Sequence, residues 1–245
     1  HAEEIRRRVL MALEQAEQTP DPQERRFLQT VVIVGGGPAG CELAGALSEL
    51  MRKAMAREFR QLDPTTARII VVDPGDRVLR AMPEGCSAAA ASELQAMGVE
   101  LFFHGRVQSI VPGEVLVGTP EGDHKIEAAN VFWTAGVRAS HLGRKLAEST
   151  GCEVDRGGRV LVQSDFSIPN HPEIRIVGDL CSYKHTRDGK PLPGMAGPAT
   201  QMGGWVAKDI RATLEGRQHK PFAWFDFGSM AVLSRLGAVA DLRGI

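Results

Sequence analysis

Residues Thr30–Ala46 read TVVIVGGGPAGCELAGA, and this stretch decides the fold. Its first five residues are apolar or β-branched without interruption, which is typical of a strand buried on both faces of a parallel sheet. Gly35–Gly40 ends the run, and a long helix is predicted over Cys41–Glu58. A strand, a glycine turn and a helix in this order predict an α/β protein with a doubly wound parallel sheet.

The alternation of strands and helices continues towards the C-terminus. Ala67–Asp73, Val99–His104 and Asn130–Thr134 are predicted strands, and Ser87–Met97 is a predicted helix. Three short antiparallel strands are predicted before the last of these, at Arg106–Ile110, Glu114–Val117 and His124–Glu127. The whole pattern indicates a Rossmann-like sheet with an antiparallel excursion.

The flanking segments define the expected domain organisation. Residues 1–28 contain a connecting helix over His1–Gln18 and a proline-containing linker, and residues 29–137 form the dinucleotide domain. Residues 138–245 are expected to form part of a second domain. Its predicted elements are strands at Arg159–Val162 and Ile174–Val177, a helix over Ala199–Leu214 and a strand or extended segment at Phe222–Met230.

Composition disfavours several classes of protein. The net charge of -1 gives no reason to expect a nucleic-acid partner. The 4 cysteines form no close pair, which disfavours a disulfide framework and a redox dithiol, and the histidines show no metal-ligand spacing. No apolar run reaches the ~18 residues of a membrane span, so we expect a soluble chain. The first residue is His1 and a regular pattern continues to the last residues, so we expect a fragment of a longer protein.

The glycine turn itself predicts a ligand. Gly35, Gly37 and Gly40 satisfy the G-x-G-x-x-G pattern, with Pro38 and Ala39 completing the turn. The first glycine permits the tight turn, the second leaves room for a pyrophosphate, and the third lets the helix approach the strand. Because a helix N-terminus offers free N–H groups to anions, we expect a pyridine dinucleotide here. A purely structural glycine turn is the alternative.

Asp73, at the end of the second strand, is the candidate ribose-binding acid. A 2′-phosphate about 4 Å from its carboxylate would meet repulsion of order 4 kcal/mol at an effective dielectric near 20. NADH is therefore favoured over NADPH, although Arg77 and Arg80 lie nearby and could weaken this discrimination. The alternative for Asp73 is a solvated carboxylate at a strand end.

Six stretches together resemble the type II NADH dehydrogenase family. They are VVIVGGGPAGCELAGAL, IIVVDPGDRVL, VFWTAGV, IRIVGD, PLPGMAGPATQMGGWVAKDI and FDFGSMAVL, and they run along nearly the whole chain. The resemblance implies FAD and NADH as cofactors on two Rossmann-type domains, with hydride transfer from NADH to FAD and electron transfer to a quinone. It also implies peripheral attachment to the cytoplasmic face of a membrane, and it leaves room for a homodimer.

The resemblance assigns further site residues. Glu42 and Gln201 are the candidate catalytic residues, the first facing the nicotinamide and the second in the quinone motif with Ala199. Gly197 stands where that motif has its first glutamine. The alternatives are a first-turn acid favoured by the helix dipole for Glu42 and a polar residue near a helix N-terminus for Gln201.

The resemblance also implies contacts with the flavin. Ala135 and Gly136 match the crossover between the two domains, for which an ordinary strand-to-loop glycine is the alternative. Gly178 and Asp179 match the second FAD signature, in which a buried parallel strand delivers the aspartate to a ribityl hydroxyl. Met195 and Ala196 match the segment beside the isoalloxazine ring. All six are candidate cofactor-binding residues.

Two parts of the family pattern are missing, namely the N-terminal FAD motif and the C-terminal amphipathic region. The fragment is therefore expected to retain mainly NADH binding. Three alternatives stay open: an FAD-dependent NAD(P)H reductase with a non-quinone acceptor, a non-catalytic NAD(H)-binding module, and a relative of sulfide:quinone reductases. The lack of paired cysteines counts against the last.

Overall fold

The computed structural model describes residues 1–184, 189, 191–218 and 220–242. The chain divides into two compact units. Unit one comprises His1–Gly136 together with Gly228–Leu242, and unit two contains Val137–Phe227. The sequence-based division had grouped 138–245 together, whereas the structure groups 228–242 with the N-terminal unit.

Two helices open unit one. α1 (Ala2–Gln18) buries Val9 and Leu13 on one face. α2 (Pro22–Leu28) begins with a proline, which suits a first helical position because that N–H has no intrahelical partner. Asp21 caps α2 by accepting the Gln23 N–H at 2.9 Å. This second helix was missed in the sequence, where the prolines indicated only a linker.

The core of unit one is a four-stranded parallel sheet. Along the chain come β1 (Thr30–Val34), α3 (Pro38–Glu58), β2 (Arg68–Val72), α4 (Glu84–Ala96) and β3 (Val99–Phe102). Every residue of β1 is buried, as the unbroken β-branched run predicts. The strand order is β3-β2-β1 followed by a strand from further along the chain. The predicted α/β fold with a parallel sheet is confirmed.

That last strand follows an antiparallel excursion. β4 (Arg106–Val111), β5 (Glu114–Thr119) and β6 (Gly122–Glu127) form a separate three-stranded sheet, and β7 (Asn130–Trp133) then pairs with β1. β1 thus lies between β2 and β7, so the direction of winding reverses beside it. Such a reversal opens a crevice at the carboxyl ends of the strands, where ligands of open α/β sheets bind.

Unit two has smaller sheets around an aromatic cluster. Its elements are α5 (Leu142–Thr150), β8 (Val160–Leu161), β9 (Ser167–Ile168), β10 (His171–Arg175), β11 (Cys181–Ser182) and α6 (Ala196–Leu214). Phe166, Tyr183, Trp205 and Phe222 contact one another, with ring centroids 4.6–6.1 Å apart. The predicted helix over Ala199–Leu214 starts three residues earlier than expected, at Ala196.

The chain returns to unit one in a hairpin of β12 (Gly228–Val232) and β13 (Ala238–Leu242). Ala231 and Leu233 are buried. A Cβ at Gly45 of α3 would overlap the Leu233 carbonyl oxygen, so the hairpin and the helix touch through their backbones. Within the described ranges, no helix is long and apolar enough to cross a membrane.

Candidate functional site

The glycine turn leaves β1 between the carboxyl ends of β2 and β7. Gly35 has φ +112°, a conformation that favours glycine, and its N–H donates to the Val72 carbonyl at 2.8 Å. A Cβ at Gly40 would overlap the Gly35 carbonyl oxygen. These two glycines are therefore required by close packing within the turn.

Gly37 differs from the other two glycines of the motif. It is exposed, and a Cβ built on it meets no atom within 4 Å. Its φ of -75° is accessible to any residue. The protein itself thus gives no steric reason for glycine at this position, whereas a ligand lying against the turn would give one.

The start of α3 offers unsatisfied donors. Gly37 is the N-cap and has no side-chain cap, Pro38 lacks an N–H, and Cys41 is the first residue to bond back, to the Gly37 carbonyl at 3.0 Å. The N–H groups of Gly37, Ala39 and Gly40 have no hydrogen-bond acceptor within the part of the chain that the structure describes. Free N–H groups at the positive end of a 21-residue helix form an anion site.

Asp73 lies directly behind this turn. One carboxylate oxygen accepts the Gly36 N–H and the other accepts the Gly75 N–H, both at 2.7 Å. Asp73 is half-buried, and its backbone is fixed by the Phe102 carbonyl and the Gly105 N–H. A carboxylate oxygen can accept more than one hydrogen bond, so both oxygens retain capacity for ligand hydroxyls.

The two arginines named beside Asp73 are partly engaged. Arg77 Nη1 lies 3.5 Å from Glu84, and Arg80 Nε lies 3.7 Å from Asp76. These pairs are largely exposed and hence weak. These ion pairs therefore do not prevent either arginine from turning towards the 2′-phosphate of NADPH. Such a movement is what the expected weakening of the preference for NADH over NADPH requires.

Glu42 has a structural partner that the sequence did not indicate. Its Oε1 accepts the Val232 N–H of the hairpin at 3.2 Å, and two helical turns further the Glu49 Oε1 accepts the Arg235 N–H at 3.0 Å. The Glu42 side chain is exposed. Its expected role at the nicotinamide stays a prediction.

The residues after β7 close the other side of the turn. Thr134 Oγ1 donates to the Val34 carbonyl at 2.9 Å, and a Cβ on Gly35 would come within 3.0 Å of Ala135. Gly136 has φ +71° and open space around it. Ala135 therefore borders the glycine turn, whereas Gly136 provides a left-handed backbone at the end of unit one.

Cys41 and Cys181 carry thiols of low reactivity. Burial is the main cause that raises the pKa of each to about 12. Asp73 and Glu42 raise the pKa of Cys41 further through their negative charges. Because the thiolate is the reactive form, neither cysteine is suited to redox exchange near neutral pH.

The Gly178–Asp179 signature of unit two takes a different form from the prediction. β10 ends at Arg175 and pairs antiparallel with β9, so the expected parallel strand over Ile174–Val177 is wrong for the described residues. Ile176 and Val177 continue as extended chain, and Gly178–Leu180 is a 3-10 turn. The strand was expected to be buried, and of Ile174–Val177 only Ile176 is fully buried. The sequence pattern could not specify the partner strand.

Asp179 projects from this turn as an exposed carboxylate. No residue in the described ranges donates a hydrogen bond to it. Gly178 has φ +68°, and a Cβ built there would lie 3.5 Å from the Ala199 Cβ; one built on Gly194 would lie 3.4 Å from Asp179 Oδ1. Asp179 is thus held beside the start of α6.

Met195 and Ala196 form that helix start. Met195 is the N-cap with extended backbone and no side-chain cap, and it accepts the Ala199 N–H at 3.2 Å. Both residues are exposed, and Gly197 has no neighbour within 4 Å of a built Cβ. The structure therefore places Asp179, Met195 and Ala196 around one open helix N-terminus, which no residue of the described chain caps.

Gln201 is occupied by an interaction that sequence patterns do not reveal. Its Nε2 donates to the Phe225 carbonyl at 2.9 Å, and its Oε1 accepts the Phe225 N–H at 3.0 Å. This pair of bonds fixes the segment before β12. Phe222–Met230 was predicted as a strand or extended segment, and the structure has a strand from Gly228 with no regular structure before it. A role for Gln201 at a quinone stays a prediction.

Comparison with known proteins identifies the family of this chain. A family model described as pyridine nucleotide-disulphide oxidoreductase matches residues 3–203. A type II NADH:quinone oxidoreductase of Mycobacterium tuberculosis is 41% identical over 243 residues, covering 98% of this chain and 51% of that protein. One from Haemophilus influenzae is 30% identical over 212 residues, covering 86% and 46%. The chain spans about half the length of the curated relatives it matches.

A solved structure agrees with the fold. The structure of NDH2 from Plasmodium falciparum in complex with NADH has a TM-score of 0.87 at 14% identity, and the match covers 99% of this chain and 63% of that one. At so low an identity the likeness shows the fold alone. It supports the Rossmann-like α/β assignment made from the glycine turn.

Proposed function

This chain belongs to the pyridine nucleotide-disulphide oxidoreductase family, and we propose that it forms the NADH-binding portion and part of the FAD-binding portion of an NADH:quinone oxidoreductase. The carrying observation is the turn after β1. Free N–H groups, open space over Gly37 and the fixed carboxylate of Asp73 occur together there. The relatives named as type II NADH:quinone oxidoreductases support the choice of substrates.

We propose that this turn binds the pyrophosphate and the ribose of the adenosine diphosphate moiety of NADH. The N–H groups of Gly37, Ala39 and Gly40 would hold the pyrophosphate, with Pro38 shaping the turn. Asp73 would accept hydrogen bonds from the ribose hydroxyls, which favours NADH over NADPH. Glu42 Oε2 has no hydrogen bond within the described residues, and this leaves it free to face the nicotinamide.

The residues of unit two fit a flavin. Gly178 holds a left-handed backbone at φ +68° beside Ala199 at the start of α6, and Asp179 lacks a partner within the described chain. Asp179 would accept a hydrogen bond from a ribityl hydroxyl, and Met195 and Ala196 would border the ring. FAD, when bound, supplies the hydride acceptor and the electron donor to the quinone.

We also propose the wider setting as an extension of this function. A quinone substrate is membrane-dissolved, so the complete enzyme would work peripherally on the cytoplasmic face of a membrane. A homodimer is the assembly that we would test first. Neither nucleic acid nor a metal ion has a role in the proposed reaction.

The proposal is tested by NADH titration of the 245-residue chain. Gly37→Val places a branched side chain where the pyrophosphate must lie, so calorimetry should show at least a roughly hundredfold loss of affinity, the order of ~3 kcal/mol. Gly85→Val is the matched control, because Gly85 also has open space around it and lies on α4, away from the turn. Equal affinity in both variants would refute dinucleotide binding at this turn.

One observation favours a second candidate, a flavin reductase with a non-quinone acceptor. Both polar atoms of Gln201 are bonded to Phe225, and Gly197 replaces the first glutamine of the quinone motif. Oxidation of NADH by the flavin-loaded full-length enzyme separates the two. Turnover with a soluble quinone supports the first candidate, whereas turnover only with a dye or carrier protein supports the second.

A further inference from the structure

A second polar cleft lies at the opposite end of the parallel sheet from the glycine turn. It has a volume of about 670 Å³ and is bordered by the residues at which the strands begin: Gln29 before β1, Arg68 on β2 and Glu100 on β3. α2 and α3 contribute further residues. Six residues at ~3.3 Å each separate this end of β1 from Gly35, so the two sites are roughly 20 Å apart.

The charge of this cleft is strongly positive. Arg25, Arg26, Arg52 and Arg68 line it, against a single carboxylate, Glu100. Glu100 is already bound on both oxygens by Arg68, at 2.6 and 2.8 Å. Within the described residues, the other three arginines form no ion pair. Three uncompensated guanidinium groups around one cleft attract an anion and resemble a phosphate-binding arrangement.

Two donors in the wall of the cleft have no partner. Gln29 is 1% exposed, and its Oε1 accepts from Thr66 Oγ1 at 2.5 Å while its Nε2 is buried without a hydrogen bond. Arg25 Nε is buried and unpartnered as well, although its Nη2 donates to the Thr19 carbonyl at 2.7 Å. Leaving a buried donor unsatisfied costs free energy in the folded chain. A ligand oxygen would remove this cost once either side chain rotates towards it.

The donors of Gln29 and Arg25 border the open volume of the cleft, together with further lining residues. Arg52 lies over Gly98, which has φ +78° and would overlap the guanidinium if it carried a Cβ. Thr65 and Thr66 also line the cleft, but their hydroxyls already donate to Asp63 and Gln29. The lining therefore offers guanidinium and amide donors, and its one carboxylate is already paired. This chemistry selects against cations and neutral sugars and favours an anion with several oxygen atoms.

We propose that this cleft binds a diphosphate group, as free pyrophosphate or within a nucleotide. One phosphate group carries roughly -1.5 to -2 charges at pH 7, so two linked groups balance three free arginines better than one. The volume lies within the ~300–1,000 Å³ of small-molecule sites. Because the cleft and the glycine turn lie at opposite ends of β1, the ligand occupies it together with NADH and does not compete.

The test is calorimetric titration of the Gly37→Val chain with pyrophosphate, ADP and citrate at physiological salt. This background removes the proposed dinucleotide turn, so failure here is distinct from failure of NADH binding by the natural chain. Saturable 1:1 binding of pyrophosphate or ADP is expected, and citrate should bind at least about tenfold more weakly. ADP binding tighter than pyrophosphate identifies a nucleotide as the source. Equal or tighter citrate binding, or no saturable binding, overturns the proposal.

The variant pair locates the binding. Arg26→Ala with Arg52→Ala should weaken pyrophosphate binding at least about tenfold, since each lost charge-assisted contact counts among the stronger hydrogen bonds. Lys53→Ala with Arg106→Ala removes the same charge from exposed positions outside the cleft and should change the affinity less than about twofold. An equal loss in both pairs would mean diffuse electrostatic attraction and would overturn the site. Unchanged thermal melting of each variant verifies that it is folded.

Discussion

The two units present a glycine and an aspartate to a ligand in contrasting ways. In unit one, Asp73 accepts the Gly36 N–H of the glycine turn after β1 and the Gly75 N–H of the segment after β2, and β1 is paired on both sides. In unit two, Asp179 is exposed and accepts no hydrogen bond from the described residues, and the strand before it pairs on one side with β9. The Asp73 carboxylate is held in place by backbone N–H groups, whereas the Asp179 carboxylate has no hydrogen-bond donor among the described residues.

The difference shows that a preorganised site depends on its neighbouring strands more than on its motif. Both carboxylates follow an apolar extended run, and both sit beside a helix N-terminus. β2 aligns Asp73 because β1 pairs in parallel with all of β2 and β3 pairs in parallel with Ile69–Val72. The parallel pair β8–β11 in unit two has two residues a side. Such short strand pairs limit the local stability of unit two. We therefore expect corresponding substitutions in the two units to have different effects on stability.

The largest effect is expected from adding one methyl group to the glycine turn of unit one. Gly40→Ala forces a Cβ onto the Gly35 carbonyl oxygen and within 2.9 Å of Thr134 Oγ1, so the backbone must move. We expect a loss of about 3 kcal/mol in the free energy of unfolding, the upper range for overpacking. Urea denaturation followed by circular dichroism measures it.

Gly178→Ala is the counterpart in unit two. Its Cβ would make an ordinary contact with Ala199, so the cost is confined to the left-handed backbone at φ +68°, about 1–2 kcal/mol. A cost for Gly178→Ala equal to or above that for Gly40→Ala would contradict the view that unit one has the more tightly constrained turn.

An intermediate effect is expected at the two aspartates. Asp73→Asn turns an amide N–H group towards the N–H of Gly36 or Gly75, and the loss of one charged hydrogen bond should cost about 2 kcal/mol. Asp179→Asn should change stability by less than about 0.5 kcal/mol, as for other exposed positions. Thermal and urea denaturation of both variants provide the comparison.

The same pair of variants tests nucleotide preference. Asp73→Asn removes the carboxylate that would repel a 2′-phosphate, so the ratio of the NADPH and NADH dissociation constants should fall by about tenfold or more. Asp179→Asn should leave that ratio unchanged. A constant ratio in Asp73→Asn would show that Asp73 is a structural support of the turn without contact to the ribose.

Among the side chains that form hydrogen bonds in the described chain, the smallest of the expected effects is at Gln201. Gln201→Leu removes two hydrogen bonds to the Phe225 backbone, and because the site is partly solvated the cost should be about 1 kcal/mol. Gln201→Glu retains the acceptor and should lose about half as much. Tryptophan fluorescence during urea denaturation reports it, since Trp224 precedes Phe225. Equal stability of all three proteins would leave Gln201 without a structural role and favour its assignment to a substrate.

The sequence predicted the parts of the fold that depend on local pattern. The run Thr30–Val34, the glycine turn and the long helix after it are encoded within consecutive residues, and so are the three strands of the excursion. The position of Asp73 at the tip of β2 followed from parallel pairing next to β1. Strong periodicity and turn residues make such elements predictable.

The features that were missed depend on distant contacts. The Glu42 side chain accepts a hydrogen bond from the Val232 backbone, and the Gln201 side chain donates one to the Phe225 backbone. Backbone partners of this kind have no sequence signature. The strand before Gly178 was assigned the wrong neighbour because burial on an apolar run does not specify whether its partner is parallel or antiparallel. The diphosphate cleft was also invisible, because its arginines come from three separate elements.

The hairpin Gly228–Leu242 completes unit one only after the whole of unit two has been passed along the chain. The chain from the end of α3 at Glu58 to Gly228 is 228 − 58 = 170 residues long. A ribosome adds about 5–20 residues per second, so the surface of α3 around Gly45 stays uncovered for roughly 9–34 s during synthesis. Buried groups such as Ala231 and Leu233 arrive last. Unit one therefore exposes this apolar surface of α3 while unit two is being synthesised. During that time chaperones can bind the exposed surface.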